Sequence, residues 1–241
     1  MLELQRNRLK LSHISRKLNL TLTEASRHLQ RLSEDSLIEK DSNGRYGLTP
    51  FGTLALSLLS GLSFASKNRK YFLEYDLSII PYEFIGRIGE LAEGKHQPDT
   101  IKNIEETEKR IREAQQLIWI LSDQILTSSI QPLDEKLKGP FDLRIVLPET
   151  MFPPENKFNN PSTKAGVQAR ALQKIDVMIM VTEKYAVICL PNRNGRKDYT
   201  GFNGTDPKFL KWCRDLFLHY WEQAKTFGPT RALATQKTIQ A

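Results

Sequence analysis

Several familiar signatures are missing from this sequence. It has two cysteines, Cys189 and Cys213, and neither has a Cys or His at ligand spacing, which argues against a disulfide framework and a zinc knuckle. It has no GxSxG, Walker or HExxH motif, and residues 1–10 lack the apolar core of a secretory signal. The longest weakly charged stretch, 48–66, is too short and too interrupted to span a bilayer comfortably. We therefore expect a soluble, cytoplasmic protein that binds no metal and no cofactor.

The positive charge is concentrated near the N-terminus. Lys and Arg outnumber Asp and Glu by 35 to 28, and residues 1–75 supply +5 of the resulting net charge of +7. This basic segment permits a polyanionic partner but does not require one. A polar break at 66–70 predicts a domain boundary. We therefore expect a small domain over 1–66, a larger domain over 67–225 and a flexible tail over 226–241.

Residues 11–33 have the pattern of two helices joined by a turn. Leucine and isoleucine recur at helical spacing over 11–18, and residues 19–21 break the pattern. Thr21 and Glu24 fit a capping box at the start of the second helix. One face of that helix is apolar, and the opposite face carries groups of the kinds that bind base edges and phosphates. The apolar face is Ala25, Leu29 and Leu32, and the polar face is Thr23, Ser26, Arg27, Gln30 and Arg31.

The segment that follows predicts a β-hairpin. Two short apolar stretches over 37–40 and 45–48 flank Asn43-Gly44, a pair that tolerates positive φ in a turn. Helix, turn, helix and hairpin is the order of elements in a winged helix, whose hairpin tip lies along a phosphate backbone or minor groove. We expect the recognition helix at 23–33 and the wing at 37–49.

The run from Leu11 to Gly52 resembles the ArsR/MarR-type winged-helix transcription regulators. Its matching pieces are Ser26-Arg27-His28-Leu29, Leu37-Ile38-Glu39-Lys40 and Leu48-Thr49-Pro50-Phe51-Gly52. The resemblance implies a recognition helix and two wing strands at these positions. Such modules usually begin with a full helix, but only residues 1–9 precede the first strand-like piece. Either that helix is truncated, or a partner chain supplies the missing packing. His28 is interpreted as a partly buried packing residue, since no further ligands stand at metal spacing.

These patterns predict a set of DNA-binding residues and a dimer. Arg27 and Gln30 are expected to contact base edges. A helix over 51–66 is more apolar than one helix face can hide, which predicts packing on a second copy, with packing on its own chain as the alternative. Two recognition helices about one DNA turn apart then read a palindrome. The residues expected at phosphates or along the wing tip are Thr23, Ser26, Arg31, Lys40, Asn43 and Arg45.

In the larger domain, strands alternate with helices, so we expect an α/β sheet there and an α+β fold for the whole chain. The predicted helices are 101–116, 123–138 and 206–221, and the predicted strands are 117–121, 142–147, 176–181 and 185–190. This half is similar to the middle domain of archaeal regulators of the methanogenesis-regulator type. The marks are Phe72-x-x-x-Asp76-Leu77-Ser78-x-Ile80-Pro81, Leu143-Arg144-Ile145-Val146-Leu147 and Trp212-Cys213-Arg214-Asp215-Leu216-Phe217. The resemblance implies an archaeal source and a phospholipase-D-like fold used for sensing or dimerisation.

Catalysis is not expected in this domain. Phospholipase-D-like catalysis needs a His nucleophile followed by Lys two residues on, and none of the four histidines has one. A ligand cleft lined by Trp119, Arg144 and Trp212 is a hypothesis. Arg144 is its most suggestive member, since an arginine between apolar neighbours in mid-strand is placed to face an anion.

The function we expect is that of a homodimeric transcription regulator that reads a palindromic operator in double-stranded DNA. A small-molecule effector of unknown identity is an additional expected partner. Two alternatives stay open. One is a protein–protein adaptor whose winged helix docks on the transcription or replication machinery, which a truncated first helix favours. The other is a degenerate phosphodiesterase, which the histidine survey disfavours.

Overall fold

The structure, a computed structural model, describes residues 1–137, 140–151 and 167–226. It divides into two compact units, Met1–Ser66 and Lys67–Ala241. The fold class is α+β, as expected, because both units combine helices with sheets. Apart from Thr226, the tail predicted over 226–241 lies outside the described residues.

The first unit is a winged helix-turn-helix. Its elements are β1 (Leu9–Lys10), α1 (Leu11–Leu18), α2 (Leu22–Glu34), β2 (Ile38–Lys40), β3 (Arg45–Leu48) and α3 (Pro50–Lys67). The three strands form an antiparallel sheet in the order β1-β3-β2. Ile14, Leu29 and Ile38 form the core together with Leu4, which comes from a single 3₁₀ turn over Leu2–Leu4. This turn supplies the core with an apolar side chain from the residues that precede β1.

The start of α3 lies directly against the chain that enters β2. Gly52 is buried, and a Cβ atom at this position would lie 1.8 Å from the carbonyl oxygen of Leu37. The Thr49 hydroxyl joins the two segments, because it donates to the Ser36 carbonyl at 2.6 Å and accepts from the Gly52 N–H at 2.9 Å. Close approach of two backbones therefore requires glycine at position 52.

The second unit is built on one eight-stranded mixed sheet. Its strands are β4 (Lys95–Gln97), β5 (Leu117–Leu121), β6 (Asp142–Pro148), β7 (Val167–Leu172), β8 (Met178–Thr182), β9 (Ala186–Cys189), β10 (Gly201–Gly204) and β11 (Lys225–Thr226). The strand order is β11-β7-β6-β5-β8-β9-β10-β4. Strands β5, β6 and β7 pair in parallel, and the other pairs are antiparallel.

Helices cover both faces of this sheet. The helices of the unit are α4 (Arg69–Glu74), α5 (Tyr82–Gly86), α6 (Thr100–Glu113), α7 (Thr127–Lys136) and α8 (Pro207–Gln223). Ile111 of α6 and Leu133 of α7 pack on one face, in a core that includes Ile118 and Ile145. On the other face α8 contacts β5, β8 and β9. Burial on both sides explains why the central strand β5 is a continuous apolar run.

The structure differs from the sequence-based expectation mainly at short elements. The last helix and the strands β5, β6, β8 and β9 are confirmed to within two residues at their ends. Helix α6 ends at Glu113 rather than at 116, α7 begins at Thr127 rather than at 123, and four strands, β4, β7, β10 and β11, were not expected. None of the helices within the described ranges is both long and apolar enough to cross a membrane.

Candidate nucleic-acid interface

Helix α2 is fixed at its start and along one face. The Thr21 hydroxyl accepts from the Glu24 N–H at 3.2 Å, and the Glu24 carboxylate accepts from the Thr21 N–H at 2.9 Å, which confirms the expected capping box. The hydrogen bond from the Thr21 backbone lowers the pKa of the Glu24 carboxyl. Ala25 and Leu29 are buried on the inner face. The outer face of α2 is therefore carried on a well-anchored helix.

The turn between α1 and α2 is closed by a left-handed residue and two hydrogen bonds. Asn19 ends α1 in the left-handed region with a φ of 53°, a conformation that asparagine tolerates better than most residues. Ser15 and Leu20 exchange two hydrogen bonds, from the Leu20 N–H to the Ser15 carbonyl at 2.9 Å and from the Ser15 hydroxyl to the Leu20 carbonyl at 2.7 Å. Sequence reasoning did not single out Ser15, although its hydroxyl is what closes the turn.

The structure places all the predicted DNA-binding side chains on the surface. With 3.6 residues per turn, Thr23, Arg27, Gln30 and Arg31 lie on the side opposite Ala25 and Leu29, and Ser26 lies at the flank of that side. Lys40 and Arg45 lie on the two wing strands, and Asn43 lies at the wing tip. The eight exposed residues are Thr23, Ser26, Arg27, Gln30, Arg31, Lys40, Asn43 and Arg45.

The side chains on the outer face of α2 differ in what they already contact. Gln30 donates to the Glu34 carboxylate at 2.9 Å, so its amide is partly engaged. Among the residues that the structure describes, no carboxylate lies within ion-pair distance of Arg27 or Arg31. A guanidinium without a partner keeps its fork of donors available for a base edge or a phosphate.

The wing tip is organised by one carboxylate. Asp41 accepts from the N–H groups of Asn43 at 3.0 Å and Arg45 at 2.9 Å. Gly44 takes a φ of 73°, and it is the member of the Asn43-Gly44 pair that adopts positive φ. This differs from a two-residue hairpin turn, because the Asp41 side chain supplies part of the turn geometry. The Lys40 ammonium lies 5.5 Å from the centre of the Tyr46 ring.

Arg8 is a functional candidate that sequence reasoning missed. Its guanidinium pairs with Glu39 and lies 3.9 Å from the Asp41 carboxylate, so it neutralises acidic charge on the wing. Its stem lies over Gly47, where a Cβ atom would come 2.8 Å from the Arg8 Cγ. Arg8 is 31 residues from Glu39 in sequence, and only the pairing of β1 with β3 brings them together. No local pattern carries that signal.

His28 is exposed, so its interpretation as a partly buried packing residue is wrong. The buried face of α2 is narrow, with Ala25 and Leu29 as its buried residues, and position 28 falls outside it. Across 1–137, 140–151 and 167–226, no group of three or more His, Cys, Asp and Glu side chains is arranged to hold a metal ion.

The three residues of the hypothetical ligand cleft do not all come together. Trp119 and Arg144 are cross-strand neighbours on β5 and β6, and both donate to the Asp142 carboxylate, at 2.9 and 3.0 Å. Trp212 is buried, and its indole N–H donates to the Phe84 carbonyl at 3.1 Å. The structure therefore joins Trp119 with Arg144 and packs Trp212 against α5.

Comparison with known proteins gives structural similarities of low score. No protein-family model and no curated protein matches the sequence. One similar solved structure is TrmBL2, described as an archaeal chromatin protein with a novel mode of DNA binding, at 13% identity and a TM-score of 0.47 over 94% of this chain and 91% of that chain. Another is NucT from Helicobacter pylori, at 12% identity and a TM-score of 0.41 over 56% of this chain and 97% of that chain. Scores this low assign neither protein's function to this chain.

Proposed function

We propose that this chain is a non-catalytic, DNA-binding transcription regulator that acts as a homodimer on a palindromic operator. The observation that carries the proposal is the outer face of α2, which presents exposed hydrogen-bonding groups on an anchored helix, among them the guanidinium groups of Arg27 and Arg31, which have no carboxylate partner among the described residues. An α-helix of this kind fits the major groove of B-DNA.

The roles of the individual residues follow from their positions. Arg27 lies centrally on the outer face and reads a base edge, and Gln30 does so after releasing Glu34. Asn43 and Arg45, at and beside the wing tip, lie along the backbone or in the minor groove. The side chains that contact phosphate and position the helix are Thr23, Ser26, Arg31 and Lys40.

Helix α3 is the proposed dimer contact. Phe51, Leu54, Leu58 and Leu62 recur at intervals of three or four residues, and each is more than half exposed, with Leu58 exposed by 72%. Such spacing places them on one stripe of the helix. Monomeric proteins rarely leave a contiguous apolar stripe in water, and a second copy of α3 buries it symmetrically.

A charged residue introduced into this stripe tests the proposed dimer contact. Leu58→Glu should halve the solution mass measured by light scattering and weaken operator binding, because two half-sites are no longer bound together. Leu73→Glu changes an exposed leucine on α4, outside the stripe, and should leave the mass unchanged. Equal masses for the Leu58→Glu variant and the wild type would contradict the proposed contact.

DNA binding is tested by selection from random duplexes, followed by affinity measurements at two salt concentrations. A regulator that contacts several phosphates loses affinity steeply as salt rises from about 50 to 200 mM. Lys40→Ala should weaken binding to all sequences alike and reduce the salt slope by about one. Binding without steep salt loss, or no selected sequence, would favour the adaptor over the regulator.

The remaining expectations are proposals of the same kind. The second unit acts as a sensor or dimerisation domain of phospholipase-D-like type, the source is archaeal, and the protein works in the cytoplasm. An assay of phosphodiesterase activity on the purified chain tests the non-catalytic assignment, which turnover above background would overturn.

A further inference from the structure

Three arginines converge on two tryptophans on the face of the sheet that α8 covers. The Arg144 guanidinium lies 4.6 Å from the centre of the Trp119 ring and 5.7 Å from that of Trp221. Arg170 lies 4.3 Å from the Trp221 ring, and Arg214 lies 5.8 Å from the Trp119 ring. These five residues, which come from β5, β6, β7 and α8, form the arginine–indole cluster.

The arginine–indole cluster has more positive charge than its surroundings neutralise. Asp142 pairs with Arg144 at 3.0 Å, and it also accepts from the Trp119 indole at 2.9 Å. Within the described residues, no carboxylate lies within ion-pair distance of Arg170 or Arg214. Counted over the described residues, three guanidinium groups face one carboxylate, which leaves two positive charges in a partly buried site.

One polar atom of the cluster has no hydrogen bond. The Nε atom of Arg214 is buried and has no partner, which is costly for a charged donor. Arg170 donates from Nη1 to the Trp221 carbonyl at 2.6 Å, so only part of its fork is used. Guanidinium groups that lie over ring faces keep their in-plane N–H groups free at the edges.

Two other arginines of the second unit also lie over aromatic rings, and both are paired with carboxylates. Arg87 lies over the Phe84 ring and pairs with Glu90 at 2.9 Å and Asp215 at 2.7 Å. Arg110 lies over the Tyr185 ring and pairs with Glu106 at 2.6 Å and Glu113 at 3.0 Å. Each of these arginines contacts two carboxylates, one of which is shared with a lysine: Lys211 also pairs with Asp215, and Lys109 with Glu113. Among the arginines that lie over aromatic rings in the described residues, only Arg170 and Arg214 of the arginine–indole cluster have no carboxylate in ion-pair range.

We infer that the arginine–indole cluster binds the phosphoryl group of a small phosphorylated molecule. A phosphoryl group carries close to two negative charges near neutral pH and has several acceptor oxygens, so it matches both the excess charge and the free donors. The indole rings exclude water from one side of the site, which strengthens the charge-assisted hydrogen bonds. This inference concerns the second unit and does not rest on the DNA-binding function proposed for the first.

The test uses the full chain, with inorganic phosphate and pyrophosphate as probes and sodium chloride at the same ionic strength as the reference. Both probes should raise the unfolding temperature and change the tryptophan fluorescence, because two of the three tryptophans belong to the cluster. Arg170→Met and Arg214→Met should each weaken the binding of pyrophosphate by about tenfold or more. Arg110→Met is the matched control and should bind it as the wild type does.

The unfolding temperatures of the variants without ligand provide a second test. In phosphate-free buffer, Arg214→Met removes an unpartnered buried donor and one of the uncompensated charges, so it should unfold no earlier than the wild type. Arg110→Met breaks two ion pairs and should unfold earlier. Arg214→Lys keeps the charge without the planar fork, and it should also bind pyrophosphate less tightly.

Three outcomes would overturn the inference. One is a chloride effect equal to that of phosphate, and another is wild-type pyrophosphate affinity in Arg170→Met and Arg214→Met. The third is loss of duplex-DNA affinity in Arg170→Met without any phosphate binding, which would assign the cluster to a DNA surface. In each case the effect of Arg27→Ala on duplex binding still reports separately on the function of the first unit.

Discussion

In the first unit, Arg27 and Arg31 extend from a helix face with no carboxylate of the described chain in ion-pair range, whereas in the second unit Arg87 and Arg110 each contact two carboxylates and an aromatic ring. The same residue type therefore plays two different parts. An arginine that pairs with two carboxylates stabilises the folded unit. A surface arginine without a carboxylate partner stays hydrated and is available to bind a ligand. Substitutions in the two units should thus separate stability from binding.

The largest expected effect is a loss of stability in the first unit, caused by a substitution that leaves the second unit intact. In Gly52→Ala the added methyl group overlaps the Leu37 carbonyl oxygen, so α3 has to move away from the chain before β2. We expect a loss of about 3 kcal/mol or more in the stability of the first unit. All three tryptophans lie in the second unit, so the helical circular-dichroism signal should fall at a lower temperature while the tryptophan transition stays in place.

Gly86→Ala provides the control for this experiment. A Cβ atom at Gly86 meets no atom within 4 Å, so the same chemical change should leave both transitions near their wild-type temperatures. A single transition that shifts equally for both probes in Gly52→Ala would show that the two units unfold together.

The next prediction compares one arginine from each unit, because Arg27→Ala should change DNA affinity and Arg110→Ala should change stability. Arg27→Ala should cost about 1–3 kcal/mol in operator affinity, relax the preference at one position in each half-site, and leave the unfolding temperature unchanged. Arg110→Ala should do the reverse, with about 1 kcal/mol lost in stability and operator affinity retained. Duplex binding and thermal unfolding of both variants give the comparison. An unaltered preferred sequence in Arg27→Ala would contradict the assignment of base reading.

A smaller effect is expected at the wing, where Arg8 acts by neutralising charge. Arg8→Ala leaves Glu39 and Asp41 uncompensated next to the DNA backbone, so affinity should fall by about threefold to tenfold at low salt. The double variant Arg8→Ala/Glu39→Gln removes one of those negative charges and should recover part of the loss. No recovery in the double variant would mean that Arg8 acts by another route, such as packing over Gly47.

The smallest effect should come from the exposed capping box at the start of α2. The pKa of Glu24 is lower in the folded chain than in the unfolded chain, mainly because it accepts from the Thr21 N–H. Its contribution to stability is therefore complete above the ordinary pKa of a glutamate, which the unfolded chain has, and is lost as the pH falls through the lower pKa of the folded chain. Glu24→Gln keeps an acceptor oxygen but does not titrate. Its unfolding temperature should thus depend less on pH between about 3 and 5 than that of the wild type.

Structure that is encoded over a few residues was predictable from the sequence. The capping box at Thr21 and the start of α8, where Asp206 accepts from two N–H groups and Pro207 follows, each depend on neighbours within three residues. The outer face of α2 was predictable for the same reason, because helical periodicity alone assigns its residues. The buried central strand β5 was recognisable because an uninterrupted apolar run is typical of a strand that is covered on both faces.

Features that depend on distant parts of the chain were not predictable. Strand β4 is three residues long and pairs with β10, more than 100 residues further along. Strand β7 turns the small residues Ala169 and Ala171 toward the core, and two alanines give almost no hydropathy signal. The pairing of Arg8 with Glu39 and the convergence on the arginine–indole cluster likewise exist only after strands have paired.

The path of α8 has a consequence for how the protein is made. The helix starts after β10, near one edge of the sheet, and ends at β11, which forms the opposite edge. Helix α8 therefore reaches its face of the sheet only after residues 207–223 have left the ribosome, whereas the core of the winged helix, Leu4, Ile14, Leu29 and Ile38, is complete much earlier. During synthesis the first unit is free to fold early, while the growing second unit lacks the helix that packs on β5, β8 and β9 until its last residues are made.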